Sequence, residues 1–180
     1  MKLHEKGYFD SFLEVVKAVN STLDRQEVLD LSVNNVTQVM DLKASAIRLL
    51  DEKQRTLELV ASHGLSEKYL NKGPVDADKS IADAMEGKTI SVYNVTEDQR
   101  AQYPKEAQEE GIVSIVSVPL RIKGGVIGVM RLYTPEPREF SQEEITSAEV
   151  LAETGAIAIE NAKMYERIKK DYESIMRDLY

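Results

Sequence analysis

The segment that most restricts this fold is a hairpin. Residues 112–122 and 126–133 are apolar, β-branched runs separated by Lys123-Gly124-Gly125, a connection suited to a tight reversal. Strands joined this closely pair antiparallel, because a parallel pair needs a long crossover. A second pair follows the same logic, with residues 44–50 and 56–62 flanking the polar stretch Asp51-Glu52-Lys53-Gln54-Arg55. Residues 89–95 add another strand-like run. The chain is therefore built on an antiparallel sheet, and the remaining residues must supply whatever covers it.

The cover is helical and comes from both ends. Phe9, Phe12, Leu13, Val16, Val19 and Leu23 form one apolar stripe at helical spacing, broken at Asn20-Ser21-Thr22. Asp24-Arg25-Gln26-Glu27 has the form of a capping box and opens a second helix to about Met40, apolar over too broad a face for a surface helix. Gly64 and Gly73-Pro74 punctuate the middle, and residues 80–86 read as a short helix stopped by Gly87. Residues 98–110 are polar and partly helical. Pro135 and Pro137 end the hairpin, and Ser141-Gln142-Glu143-Glu144 is a second capping box opening a long final helix. Strands in hairpins with helices gathered at both ends predict an α+β single domain, helices on one face of the sheet.

The final helix carries a further pattern. Leu151, Ala158, Tyr165, Tyr172 and Leu179 recur every seven residues, with Thr154, Asn161, Ile168 and Ile175 between them. This 3,4 repeat is the seam of a coiled coil. Ile157 and Ile159 flank the seam and are expected on the sheet. Beyond Tyr165 the stripe is narrow and projects past the domain, which predicts a homodimer through parallel pairing with the same helix of a second chain. A frayed helix, or one folded back on its own domain, is the alternative.

Composition narrows the function. At 42% apolar and 30% charged residues the 180-residue chain is globular in character. It has no cysteine, which excludes a disulfide framework, a thiolate metal site, a cysteine nucleophile and a thioether-linked cofactor. A net charge of −8 without a basic run argues against nucleic acid as a partner. No stretch approaches the roughly 18 apolar residues of a membrane span, and the first ten residues lack a signal-peptide core, so a cytoplasmic protein is expected. With two histidines and no nucleophile beside a base, no enzyme site assembles and no cofactor is predicted.

Several strings, in this order, carry a resemblance: Ala46-Ile47-Arg48-Leu49-Leu50-Asp51, Leu57-Glu58-Leu59-Val60-Ala61-Ser62-His63-Gly64, and Ser114-Ile115-Val116-Ser117-Val118-Pro119-Leu120. Val126-Ile127-Gly128-Val129, Phe140-Ser141-Gln142-Glu143-Glu144 and Ala156-Ile157-Ala158-Ile159-Glu160-Asn161-Ala162 follow. Together, from Phe9 to Tyr165, the chain resembles the GAF domain, a small-molecule-sensing module of signalling proteins. The resemblance implies a six-stranded antiparallel sheet with the first, second and last helices on one face. It places a ligand pocket on the other face, under the short helix and the polar excursion. It also implies a regulatory sensor, residues 1–162, whose signal leaves through a dimeric helical extension, residues 163–180, toward an effector absent from this chain. A structural dimerisation module without a ligand is the alternative. The Asn-Lys pair of cyclic-nucleotide-binding members is matched here by Tyr133-Thr134, and the later Phe-x-x-x-Asp-Glu by Phe140 with Glu144-Ile145. Bilin attachment and thiol-based sulfoxide reduction both need a cysteine this chain lacks.

Alternation along strands then selects residues. Arg48 and Arg131 fall opposite the more apolar faces of their strands, so both point to the pocket side. The topology the resemblance implies makes those strands neighbours. Two guanidiniums in a partly closed cavity repel unless an anion neutralises them, and their planar forks suit a carboxylate or phosphate ligand. An internal partner, Glu58 or an acid among residues 106–110, is the competing expectation. Tyr93, Tyr103 and Ser117 are candidates to add hydrogen-bonding groups, with residues 98–110 closing over the ligand. His63 reads as a turn residue at a strand end, Met85 as core, and Asp76 with Asp78 as an incomplete calcium loop.

Overall fold

The computed structural model describes residues 2–21, 24–51, 53, 55–79, 81–123 and 125–178, with residues 2–6, 8 and 178 described by backbone alone. Expectations placed on Thr22, Leu23, Glu52, Gln54, Ser80, Gly124 and Leu179 lie outside these residues. Twelve elements run in order: α1 (Lys2–Ser21), α2 (Arg25–Val39), β1 (Ala44–Asp51), β2 (Thr56–His63), α3 (Glu67–Leu70), β3 (Val75–Asp76), α4 (Ala82–Met85), β4 (Ile90–Val92), α5 (Pro104–Glu110), β5 (Ser114–Ile122), β6 (Gly125–Thr134) and α6 (Gln142–Asp178). The six strands form one antiparallel sheet in the order β3-β2-β1-β6-β5-β4.

Local chemistry accounts for the element ends. The Asp24 carboxylate accepts from the Gln26 and Glu27 amides and opens α2. At α6 the box is reciprocal: Glu144 N donates to Ser141 Oγ (3.2 Å) and Ser141 N to Glu144 Oε2 (2.8 Å). Arg138 bridges the Met40 carbonyl (2.9 Å) and the Glu144 carboxylate, pinning the end of α2 to the start of α6.

One face of the sheet is sealed. Ile47, Met130, Leu132, Val116, Val118 and Leu120 pack against Leu29, Val33, Val36, Leu151, Ala152 and Ile159 in a single buried core. Thus α2 and α6 lie on the sheet and α1 packs against both. At Gly128, β6 passes so close to β1 that a Cβ would stand 2.2 Å from the Arg48 carbonyl oxygen. Only glycine fits there.

Three expectations are corrected. The strand-like run 89–95 shortens to Ile90–Val92, and the segment between Gly64 and Gly73 holds a helical turn and leads into the edge strand β3. Ile157 does not reach the sheet: it is 49% exposed while Ile159 is fully buried, because residues two apart on a helix point to nearly opposite sides, about 200° apart. The expected seam also shifts. Leu151 and Ala158 are buried in the domain, and the exposed row there is Val150 and Ile157, continuing as Met164, Tyr165, Ile168, Tyr172 and Ile175. A straight helix drifts against a seven-residue repeat, so one row cannot serve both the core and a free face.

Candidate functional site

On the face away from α2 and α6, register brings the alternating residues into rows. Ala44, Tyr133, Ile115 and Val92 form one; Ala46, Arg131, Ser117 and Ile90 the next; Arg48, Val129 and Pro119 a third. Tyr133 and Ile115 belong to one apolar cluster, with Tyr69, Val95 and Ile112 above them. Val129 and Ile90 belong to another, roofed by Ile81 and Ala84 of the α4 region. The arginines lie between the two, one strand pair apart on the diagonal, a spacing that long side chains bridge.

Both guanidiniums are deeply buried, Arg48 3% and Arg131 7% exposed. Arg48 Nη1 donates to the Leu57 carbonyl (3.3 Å), whereas Arg48 Nε and Nη2, Arg131 Nε and the Tyr133 hydroxyl find no hydrogen-bond partner. Among the described residues no carboxylate lies within ion-pair distance of either arginine. None of the expected internal acids pairs with either arginine, and Glu106, half-buried on α5, acts on Lys72 instead. Glu58 is exposed, and Glu109 and Glu110 bond to Lys68 and Ser66 at the rim. Burial lowers the Arg48 pKa; the Tyr133 hydroxyl opposes that shift and the Arg131 charge adds to it. Unsatisfied buried donors of this kind are rare in folded proteins and costly.

Beside them is a cavity of about 20 Å3, lined by Arg131, Tyr103, Tyr69, Lys72, Gln102 and Ile115 among others. That is room for one water. Its roof is α3, the loop to β3, and the excursion before and along α5, whereas α4 covers the neighbouring apolar cluster; the expectation that the short helix roofs the pocket is corrected. The excursion is latched on two sides. Tyr103 Oη donates to the Pro74 carbonyl (2.7 Å), Gln102 Nε2 donates to the same oxygen (3.2 Å), and Gln102 Oε1 accepts from Asp76 N (3.0 Å). Gly73, at φ +127°, makes room for the phenol: a Cβ there would stand 2.8 Å from Tyr103 Oη. At the far end Glu110 accepts from Ser66 N (2.8 Å) and Ser66 Oγ, and Lys68 pairs with Glu109 (2.8 Å).

Of the five residues expected at a site, Arg131 and Tyr103 line the cavity, and Arg48 and Ser117 are buried on the same face of the sheet. Tyr93 does not join them. It is 54% exposed beside Asn94 and Glu97, because Ile90 and Val92 take the inward positions and the next odd residue points out. Sequence reasoning missed Lys72 and Tyr69. Burial, reinforced by the charges of Arg48 and Arg131, brings the Lys72 ammonium down to about 7, against the pull of Glu106 and Glu110. Burial also holds the Tyr69 phenol protonated well above its usual range. Among the described residues no cluster of histidine and carboxylate side chains could hold a metal ion, and no helix is long and apolar enough to cross a membrane. A larger groove of about 470 Å3, lined by Phe9, Phe12 and Val150, lies between α1 and α6 on the opposite side of the sheet.

A six-stranded antiparallel sheet of this order, backed on one face by the terminal helices, defines an α+β fold of one recognisable class. The sequence profile of the GAF domain matches residues 22–160, and the chain belongs to that family. It is 28% identical over 163 residues to a methyl sulfide methyltransferase-associated sensor of Methanosarcina acetivorans, covering 87% of this chain and 16% of the relative. It is 22% identical over 173 residues to the formate hydrogenlyase transcriptional activator of Escherichia coli, covering 92% of this chain and 25% of the relative. The chain thus spans a quarter or less of these relatives. The GAF domain of a phosphoenolpyruvate-protein phosphotransferase from Coxiella burnetii shares the fold, with a TM-score of 0.78 at 18% identity over 90% of this chain and 98% of that one. So does a free methionine-R-sulfoxide reductase from Neisseria meningitidis, with a TM-score of 0.73 at 16% identity over 88% of this chain and 91% of that one.

Proposed function

We propose that this chain is a regulatory, non-catalytic sensor. Residues 1–162 form a cytoplasmic body that binds a small anionic ligand, and residues 163–180 belong to a helical stalk shared by two copies that reports to an effector. The observation that carries the reading is the pair of buried guanidiniums with open donors and, among the described residues, no carboxylate within ion-pair distance. A cation buried without a partner is expensive, and an entering anion removes that cost. The row of exposed apolar side chains from Met164 to Ile175, against which none of the described residues packs, supports the stalk. The named relatives, a sensor and a transcriptional activator, are signalling proteins in which a domain of this kind is one part.

The cavity's small volume favours a second reading, a ligand-free dimerisation module. Protein isolated from its own host and examined by native mass spectrometry separates the two. The sensor reading expects a retained small molecule that is lost when Arg48 and Arg131 are both replaced by Met. Retention of the same molecule by the double variant, or none in the parent and no saturable binding of small anions by calorimetry, leaves only the module.

A further inference from the structure

The charge of the ligand follows from a third cation at the same cavity. Lys72, in the loop between α3 and β3, lines the chamber together with Arg131. Its Nζ sits 3.8 Å from the Tyr69 ring centroid and 5.8 Å from that of Tyr103, and it donates to the Tyr69 carbonyl (3.2 Å). The ring faces supply a weak attraction to a cation, without a full counter-charge. The charges that act on Lys72 are those of Arg48 from β1, Arg131 from β6 and, from α5, Glu106 and Glu110. Tyr103 faces it from the excursion. Glu110 is already held by Ser66 at the rim, and no carboxylate among the described residues lies within ion-pair distance of Lys72.

Lys72 and Arg131 therefore line the space with Arg48 buried beside them, and among the described residues no carboxylate makes an ion pair with any of the three, Glu106 and Glu110 acting on Lys72 only from a distance. A single negative charge entering it leaves Lys72 facing an excess of positive charge. Two negative charges balance the arginines and give the ammonium something to attract it.

We propose that the ligand of this chamber is a compact dianion, a dicarboxylate or a phosphate-bearing molecule of few heavy atoms, gripped by Arg131 and Arg48 from the sheet and by Lys72 from the roof. This inference rests on the sensor reading and specifies its ligand. Because the cavity has room for only about one water, the Gln102 and Tyr103 latch must yield for entry. The sign of the pH dependence follows from Lys72. Its ammonium titrates near 7 in the empty chamber, and a neighbouring dianion raises that value. Below about pH 7 the lysine is already charged and binding moves no proton. Above it, binding takes up a proton, and affinity falls with pH by at most about tenfold per unit.

Isothermal calorimetry on the full chain tests this with succinate and inorganic phosphate as dianions and acetate as the monoanion. Titration at pH 8 in two buffers of different ionisation enthalpy counts the protons. At least one dianion is expected to bind ten or more times tighter than acetate, with uptake approaching one proton. The two dianions distinguish a carboxylate ligand from a phosphate. Lys72→Met is expected to lose both the preference and the uptake, and Lys72→Arg to keep the preference without the uptake; urea melts establish that each variant folds. Acetate binding as tightly as the dianions, or dianion binding with no proton uptake or unchanged in Lys72→Met, overturns the dianion and leaves the sensor reading standing. If none of the three binds, the dianion proposal fails. The sensor reading is then decided separately by whether the host-derived molecule depends on Arg48 and Arg131.

Discussion

Arg48 does two jobs with two parts of one residue. Its guanidinium is buried on the cavity side of the sheet, while a Cβ on Gly128 would stand 2.2 Å from its carbonyl oxygen and 3.0 Å from Leu49 Cα. Both atoms are backbone in the middle of a paired sheet, so neither moves aside cheaply. Gly128→Ala is expected to destabilise the fold by about 1–3 kcal/mol, read from the urea midpoint, and to disturb the proposed anion site with it. An unchanged midpoint shows that β1 and β6 separate more easily than their pairing implies. At this scale the sequence was legible wherever a strand enforced alternation. Arg48 and Arg131 were found because every second residue shares a face. Tyr93 was misplaced although the same rule, applied from Ile90 and Val92, turns it outward. Lys72 and Tyr69 gave no signal, because the stretch from Gly64 to Gly73 has no period and its side chains are aimed by one helical turn that no pattern announces.

Elements were more legible than sites. The two hairpins and both capped helices follow from local chemistry alone, since a Gly-Gly reversal and a Ser-x-x-Glu box act over a few residues. The two-residue β3 was beyond reach, because it exists only by pairing with Thr56 and Leu57 of β2. The long helix α6 shows the limit of reading a repeat. Its 37 residues span about 55 Å. The seven-residue row that fits the sequence is buried in its first half, and the free row lies one residue away. Truncation after Ala162 removes Met164 through Ile175 and is expected to weaken self-association at least tenfold in sedimentation equilibrium while leaving the urea midpoint of the body nearly unchanged. An undiminished dimer would place the contact on Phe9, Val150 and Ile157 instead.

Across the whole molecule, front and back of the sheet are one residue apart. Arg131 faces the chamber, while Met130 and Leu132 on either side of it belong to the core shared with Leu151, Ala152 and Ile159 of α6. A ligand alters the helices only to the extent that it binds one arrangement better than another, and β6 is the strand through which that preference passes. A bound dianion is expected to slow amide hydrogen exchange over residues 98–112, where the roof closes, and also across the segment of α6 facing β5 and β6. Slowing confined to the roof means the chamber and the stalk are uncoupled.

The side-chain amide of Gln102 sits on β3, the outermost strand, donating to the Pro74 carbonyl and accepting from the Asp76 amide as a neighbouring peptide group would. The roof is thus also a bandage over an unpaired margin of the sheet. Any opening of that roof would strip the margin bare and leave backbone groups onto which an extended chain can zip. On the sensor reading such exposure penalises lingering ajar, and capture is then expected to be paced by how often the roof opens rather than by how fast the ligand diffuses.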